Sequence, residues 1–288
     1  MAEPAGLLLV HGRPQDRVAV DRLLLDIFGV DMSPLAAHGL LDRSYTPFCY
    51  VDDAGALVAN AAVFSLTLMV GGQLVDAIGL QTVATRPAWR GRGVMRALLA
   101  HVLDWCDRQH RPVLLMTDIP AFYAPLSFSL VPQRMFVGEA PAPSWTRHVA
   151  RRLNMTNPAD QAIVAARLRG RVAVSAQFAV VGGAGSFLLA LDQPHLCGWW
   201  SAELAALVVT STRPDSTLCL VDVAANAMPD LATILGALGV APARVEVHVP
   251  PDRLGWTGTP VPAEGLTLMV RGTLPGAKWA MLPETAWF

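Results

Sequence analysis

Apolar residues recur along the chain at two spacings, and the switches between them divide its first half into strands and helices. Residues 6–11 form a short apolar run that predicts a buried strand. Over residues 18–41, Leu23, Leu24, Ile27 and Phe28 fall at helical spacing, which breaks near Gly29 and Pro34. Strands are then predicted over residues 48–51, 57–70 and 73–85, separated by Asp52-Asp53-Ala54-Gly55 and by Gly71-Gly72, so the chain reads as an antiparallel meander. Residues 93–109 return to the helical period, with Met95, Leu98, Leu99, Val102 and Cys106 on one face and Arg96, Asp107 and Arg108 elsewhere. A strand over residues 113–117, a short helix over 119–126 and a strand over 128–137 complete the order β-α-β-β-β-α-β-α-β.

A Pro/Ala stretch, Glu139-Ala140-Pro141-Ala142-Pro143-Ser144, reads as a linker. Beyond it, strands are predicted over residues 172–180, 186–191, 207–212, 217–223 and 245–249, and a helix over 231–238 stopped at Gly239. Strand–strand–helix–strand echoes the middle of the first half, as a degenerate second copy of the same fold would, without any residue-level repeat to accompany it. The expected class is α/β (α+β): residues 1–140 as a mixed sheet flanked by helices, 141–148 as linker, and 149–288 as a second α/β domain.

With 288 residues, 53% of them hydrophobic and 16% charged, the chain has ample material for buried cores and little for long disorder. A net charge of −1 gives no general attraction to nucleic acid or an anionic membrane. No apolar run reaches the roughly 18 residues that span a bilayer, and the start Met1-Ala2-Glu3-Pro4 lacks the make-up of a secretory leader. Cys49, Cys106, Cys197 and Cys219 are scattered, with no pair at metal or redox spacing. The expectation is a cytoplasmic protein without a metal, with self-association left open.

One segment breaks the charge balance. Arg86, Arg90, Arg92 and Arg96 are crowded together, and no acidic residue lies between Asp76 and Asp104. Gly91 and Gly93 flank Arg92 where a predicted strand gives way to a predicted helix. A helix start offers unpaired N–H groups and the positive end of the helix dipole, and glycines let backbone approach a phosphate closely. Arginines add charge-assisted hydrogen bonds. The segment therefore reads as an anion site, against the simpler reading of a solvated basic patch.

The run Val83-Ala84-Thr85-Arg86-Pro87-Ala88-Trp89-Arg90-Gly91-Arg92-Gly93-Val94-Met95-Arg96 resembles the acyl-CoA motif of the GNAT acyltransferase superfamily, Arg/Gln-x-x-Gly-x-Gly/Ala. Arg90 and Gly93 match its first two fixed positions. Met95 departs at the third, and in this resembles the Eis (enhanced intracellular survival) branch, whose loop also ends in a bulky apolar residue. The resemblance covers about residues 5–137 in element order. It implies acetyl-CoA as co-substrate, with the pyrophosphate on the loop formed by Arg90, Gly91, Arg92, Gly93, Val94, Met95 and Arg96. The pantetheine arm would pair as an added strand along Val83, Ala84 and Thr85.

Thr117-Asp118-Ile119-Pro120-Ala121-Phe122-Tyr123, followed by Ser127-Phe128, resembles the GNAT stretch whose tyrosine protonates the departing CoA thiolate; Ser127 stands where a glycine is usual. A locally satisfied, half-buried tyrosine is the plainer alternative for Tyr123. No glutamate stands on the strand over residues 73–85 where some relatives carry a base; Gln81 and Thr82 are there to orient a water. In the Eis branch the carboxylate of a final aromatic residue enters the transfer site, which implies the same role for Phe288, a solvated terminus being the default. Asp26, Asp31, Asp76 and Asp118 are candidates to attract a cationic amine, and His195 and His248 read as structural. The expected function is N-acetyl transfer to the primary amine of a small molecule. A non-catalytic acyl-CoA-binding module and a transferase for longer acyl chains are the alternatives.

Overall fold

The computed structural model describes residues 4–12, 16–215 and 217–288; residues 1–3, read above against a secretory leader, lie outside them. In chain order the first half contains β1 (Leu7–His11), α1 (Asp16–Phe28), α2 (Ser33–Ala37), β2 (Thr46–Asp52), β3 (Leu57–Val70), β4 (Gln73–Thr85), α3 (Val94–Asp107), β5 (Val113–Thr117), α4 (Pro120–Tyr123), β6 (Ser129–Leu130) and β7 (Arg134–Glu139). Gly71 and Gly72 turn β3 into β4 at φ of 56° and 81°, a conformation that disfavours any residue with a Cβ. α3 buries Val94, Leu98, Leu99, Val102, Leu103 and Cys106 against the sheet, and this apolar stripe fixes the helix on one face of β3 and β4.

The second half contains β8 (Arg151–Arg152), α5 (Pro158–Leu168), β9 (Phe178–Val181), α6 (Ala184–Ala190), β10 (Cys197–Ser201), β11 (Ala206–Thr212), β12 (Leu218–Ala224), α7 (Leu231–Leu238), β13 (Arg244–Val247), β14 (Thr259–Pro262) and β15 (Thr267–Arg271). Asp230 caps α7 by accepting from the Thr233 N–H at 2.7 Å, and Gly239 ends it in the left-handed conformation. No helix among the described residues is long and apolar enough to cross a membrane.

Two sheets result. The first runs β1-β2-β3-β4-β5-β15-β6, with β9 added along the far end of β3; the second runs β14-β7-β13-β12-β11-β10-β8. Each is antiparallel apart from one parallel pair, β4 with β5 and β12 with β13, and each parallel pair is bridged by a helix, α3 or α7. The halves therefore share a plan, as a degenerate duplication would. They also exchange strands: β15 from the second half pairs with β5, and β7 from the first half pairs with β13, both antiparallel.

That exchange crosses the boundary expected at residues 140–149. The single strand expected over residues 128–137 is two short strands in different sheets, divided around Pro132, which has no N–H to give a ladder. The supposed linker is tied down: the Ala140 N–H donates to the Ala243 carbonyl at 3.1 Å and the Ser144 N–H to the Ala232 carbonyl at 2.9 Å. A Cβ at Gly236 would lie 1.9 Å from the Ser144 carbonyl oxygen, so α7 packs directly on this segment. Residues 186–191, expected as a strand, lie within helix α6 and its C-terminal edge, because a short apolar run does not by itself separate a buried helix from a strand. The strand expected over residues 172–180 is confined to Phe178–Val181.

A chain ending at residue 148 lacks β15 and β13 and exposes the ladder edges of β5 and β7. Such a fragment is expected to associate, or to unfold in a broad transition, in size-exclusion chromatography and thermal circular dichroism. A monomeric fragment with a sharp transition would show that the halves fold independently.

Candidate acyl-CoA and acceptor cleft

β4 pairs with β5 only at Ile78↔Val113 and Gly79↔Leu114, and then continues to Thr85 without a strand partner on that side. Its ladder with β3 slips in the same region, from Asn60↔Ala84 to Ala62↔Gln81, which marks a bulge. Thr82 sits in the bulge at φ 55°, a strained value for a β-branched residue. A buried and a half-buried side chain hold it there. The Asn60 amide, wholly buried, donates to the Thr82 carbonyl at 2.8 Å and to its Oγ1 at 3.0 Å, while the Tyr45 hydroxyl lies 2.8 Å from Thr82 Oγ1. The Arg17 guanidinium covers the Tyr45 ring at 4.2 Å. The end of β4 thus has an open backbone edge in the fork between the two strands.

The arginine–glycine loop lies at the end of this fork. Gly91 and Gly93 have φ of 74° and 75°, and Gly93 is the residue that starts α3, with no side chain capping the helix. A Cβ at either position would meet nothing within 4 Å, so backbone conformation and not crowding calls for glycine, and the space in front is open. The arginines divide by role. Arg86 is structural, donating to the Leu57 carbonyl at 2.7 Å and pairing with Asp26 at 3.2 Å. Arg90 ties the loop to β4 through the Thr85 carbonyl at 3.0 Å. Arg92, whose guanidinium lies 5.3 Å from the Trp89 ring centroid, and Arg96 are exposed and face solvent at the helix start, whose first turn holds no acid. Val94 is buried, and Met95 packs partly buried against the core beneath.

A cavity of about 550 Å³ opens at the fork, lined by Leu80, Thr82, Val83, Asp118, Tyr123 and Phe288 among others. Tyr123 is buried edge-on between the rings of Phe122 and Phe128, with centroids at 5.0 and 5.9 Å. Burial, with the Asp118 charge adding to it, pushes its hydroxyl up to about 12. Tyr45 is likewise pushed up to about 12 by burial, against the opposing pull of its Thr82 hydrogen bond and of Arg17. A second cavity of about 270 Å³ shares Met32, Tyr45, Gln81 and Leu189 with the first and adds Arg17, Asp42, Phe64 and, from the second half, Gly183 and Ser186. Phe288 packs edge-on against Phe64 at 5.5 Å, between the two cavities.

Of the four aspartates expected near an amine, only Asp118 lines either cavity. Asp26 is engaged by Arg86, Asp76 by Arg111 at 3.0 Å, and Asp31 by Ser33, whose hydrogen bonds hold its carboxyl below the usual range. Asp42 and Tyr45 line the site without having been singled out: neither belongs to a motif, and only the long-range pairing of β2, β3 and β4 brings them to Thr82 and Gln81. His195 pairs with Glu284 at 2.9 Å. Away from the cleft, Cys219, Glu246 and His248 lie close enough to share a metal ion, but Glu246 is already held by the Arg213 fork at 2.7 Å and by His248.

The parallel strand pair thus parts beside a glycine-opened helix, with buried Tyr123 at the fork. Residues 20–131 match the family model described as an acetyltransferase (GNAT) domain. Over residues 20–131 the chain is therefore similar to GNAT acetyltransferase domains. No curated protein matches it by sequence. Among solved structures, Eis1 from Mycobacterium abscessus is similar with a TM-score of 0.57 at 15% identity, over 92% of this chain and 72% of that one. A probable N-acyltransferase from Enterococcus faecalis gives a TM-score of 0.57 at 12% identity, over 92% of this chain and 71% of the other. A GCN5-related N-acetyltransferase from Kribbella flavida gives 0.52 at 17%, again over 92% and 71%. At these identities the likeness is one of fold, and it extends over both halves.

Two measurements probe the site. Gly93→Asp places a strained side chain and a negative charge at the helix start, and calorimetry of the folded variant is expected to show no acetyl-CoA binding, where the parent binds one per chain. Arg92→Ala should weaken binding by about 1–3 kcal/mol; unchanged affinity in Gly93→Asp would refute the loop assignment. The tyrosines offer a pH test. Deprotonation is disfavoured in the folded state for Tyr45 and Tyr123, so their contribution to stability is intact below pH 10 and is lost as the pH rises through about 12. Ultraviolet titration should show a late component near pH 12 that shrinks in Tyr45→Phe and in Tyr123→Phe; ionisation of all three tyrosines near pH 10 would contradict their burial.

Proposed function

We propose that the protein transfers an acetyl group from acetyl-CoA to the primary amine of a small molecule, by direct attack within a ternary complex. The observation that carries this reading is the convergence of the strand fork, the glycine-started helix and buried Tyr123 on one cavity. The open edge at Val83, Ala84 and Thr85 is suited to hydrogen-bond an extended pantetheine arm. The N–H groups of the residues from Gly91 to Met95, with Arg92 and Arg96, are suited to the pyrophosphate. The adjoining 270 Å³ cavity, walled by both halves, has the size of a small amine's site, with Asp42 and Asp118 supplying negative charge near its approach.

In the proposed reaction the amine nitrogen forms a bond to the thioester carbonyl carbon, and the C–S bond breaks with its electron pair going to sulfur. Tyr123 gives its proton to that sulfur. Its raised pKa keeps the hydroxyl protonated throughout the physiological range and makes it a reluctant donor, so the proton moves only as thiolate charge develops. The incoming ammonium loses one proton, before it attacks, to water ordered by Gln81 and Thr82, neither of which is itself a base, and the nitrogen gives up a second as the amide forms, which returns Tyr123 to its phenol. Holding the two reactants in the fork supplies most of the rate gain. The Phe288 carboxylate is included in the proposal as a group that orients the incoming ammonium beside Phe64.

The alternative, acyl-CoA binding without turnover, is favoured by one observation: the β4 residues that line the cavity, Leu80, Gln81, Thr82 and Val83, offer no carboxylate. Free-thiol release from acetyl-CoA across a panel of amines separates the two readings, and release from longer acyl-CoAs measures the third. Tyr123→Phe is expected to lower kcat by about 10²–10⁴-fold with little change in CoA affinity. Appending a few residues after Phe288 should be as damaging as removing it; full activity in the extended protein would eliminate the carboxylate role and leave Tyr123 working with a water-mediated base.

A further inference from the structure

Asp222 is wholly buried on β12, just past Leu220, the last β12 residue that pairs with β13. It holds the place in the second sheet that the unpaired end of β4 holds in the first. Its two oxygens are fully engaged: Oδ1 accepts from the Val223 N–H at 2.7 Å, and Oδ2 accepts from Arg171 at 3.1 Å and from the Thr285 hydroxyl at 2.6 Å. The Arg171 side chain is 5% exposed, and its guanidinium lies 5.5 Å from the ring centroid of Phe187, a buried residue of α6. Thr285 is also wholly buried, in the segment that ends at Phe288.

We propose that Asp222 is a positioning residue for the acceptor site. A single carboxylate holds both second-half elements that wall the cavities: α6, through Arg171 and Phe187, and residues 283–288, through Thr285. The first supplies Ser186 and Leu189 to the cavity lining and the second supplies Phe288. Upstream, the same segment is fastened by the Leu282 N–H on Gln133 Oε1 at 2.9 Å, and within itself by the Trp287 indole on the Leu282 carbonyl at 3.2 Å. Between that anchor and the cavity, Thr285 makes the buried side-chain bond that sets where Trp287 and Phe288 come to lie. A buried ion pair is expensive to desolvate and contributes little net stability, whereas removing one partner strands the other. Its value here is geometric, since the pair and the threonine together fix two separate elements at one point. In the duplicated plan, the place that opens for the acyl donor in the first half is closed in the second around a charge that shapes the acceptor wall.

The site read by this proposal is the one assigned above, so its kinetic arm rests on acetyl transfer, and a second arm does not. Asp222→Asn leaves Arg171 buried without its counter-charge and is apt to unfold the chain; Thr285→Val removes one hydroxyl at constant shape and keeps the pair. In the full-length Thr285→Val protein, amide hydrogen exchange over residues 284–288 should accelerate by about fivefold or more while that in α6, still held through Arg171, stays unchanged, the acceptor KM should rise by a similar factor, and acetyl-CoA affinity should stay unchanged. Thr285→Ser, which keeps the hydroxyl, should restore both. Unchanged exchange would overturn the anchor. Faster exchange with an unchanged acceptor KM would overturn its service to the acceptor site. If the parent protein acetylates no amine, the acetyl-transfer reading fails, and the exchange measurement still decides whether Asp222 holds residues 284–288 through Thr285.

Discussion

β4 cannot stay in register with both of its neighbours, and the rest of the site depends on that constraint. The bulge at Thr82 shifts its ladder with β3, and the parallel ladder with β5 ends at Gly79. A strand that leaves one edge unpaired inside a sheet must find other partners for its backbone groups or lose a hydrogen bond at each. Asn60 and Tyr45 meet part of that demand from within the protein, by holding Thr82 at its positive φ. The remainder is directed at the fork, and there an extended acyl-pantetheine would supply what a strand would otherwise have supplied. The strain is local and the scaffold around it is rigid, so the opening is a property of the folded protein that a ligand need not induce.

The exchange of β7 and β15 gives the two halves a common fate. Each contributes a strand next to the other's parallel pair, so neither sheet is complete without the other half. The cleft inherits this arrangement: its walls come from α1, β3 and β4 on one side and from α6 and Phe288 on the other. A change in the second half therefore reaches these cavities through packed elements and needs no displaced domain.

How much of this could be read from the sequence depended on the range of the interactions involved. The glycine-turned hairpin of β3 and β4, helix α3 and strand β5 follow from local periodicity and turn chemistry, and their expected positions agree with the structure to within a few residues. The loop was legible for the same reason, since Gly91, Gly93 and their arginines act within one turn. The exchange of strands was not, because nothing local in Arg134–Glu139 or Thr267–Arg271 specifies which sheet they enter. α6 was misread as a strand because a seven-residue apolar segment carries too little periodicity to decide. Tyr45 and Asp42 come to the site in the turn before β2, which only the pairing of β2, β3 and β4 carries there, a signal that exists only after folding. Tyr123 could be marked as a candidate from its motif, but its burial and raised pKa come from rings and a carboxylate assembled around it.

The same plan executed twice has not produced two equivalent clefts, and the difference can be assigned to particular atoms. In the first half the helix after the parallel strand opens with Gly93, which leaves the leading N–H groups of α3 without a side-chain cap. In the second half Asp230 occupies the start of α7, and its carboxylate already accepts from the Thr233 N–H. A helix capped by an anion has one of its leading donors taken and its dipole opposed, so it repels the charge of a phosphate. The edge of β12 is taken as well: the Val172 N–H donates to the Ala225 carbonyl at 2.9 Å, and Asp222 is enclosed by Arg171 and Thr285. Ala173 and Val174 fill the adjoining space as part of the core. Each of these contacts fills with the chain's own atoms a place that is open in the first half.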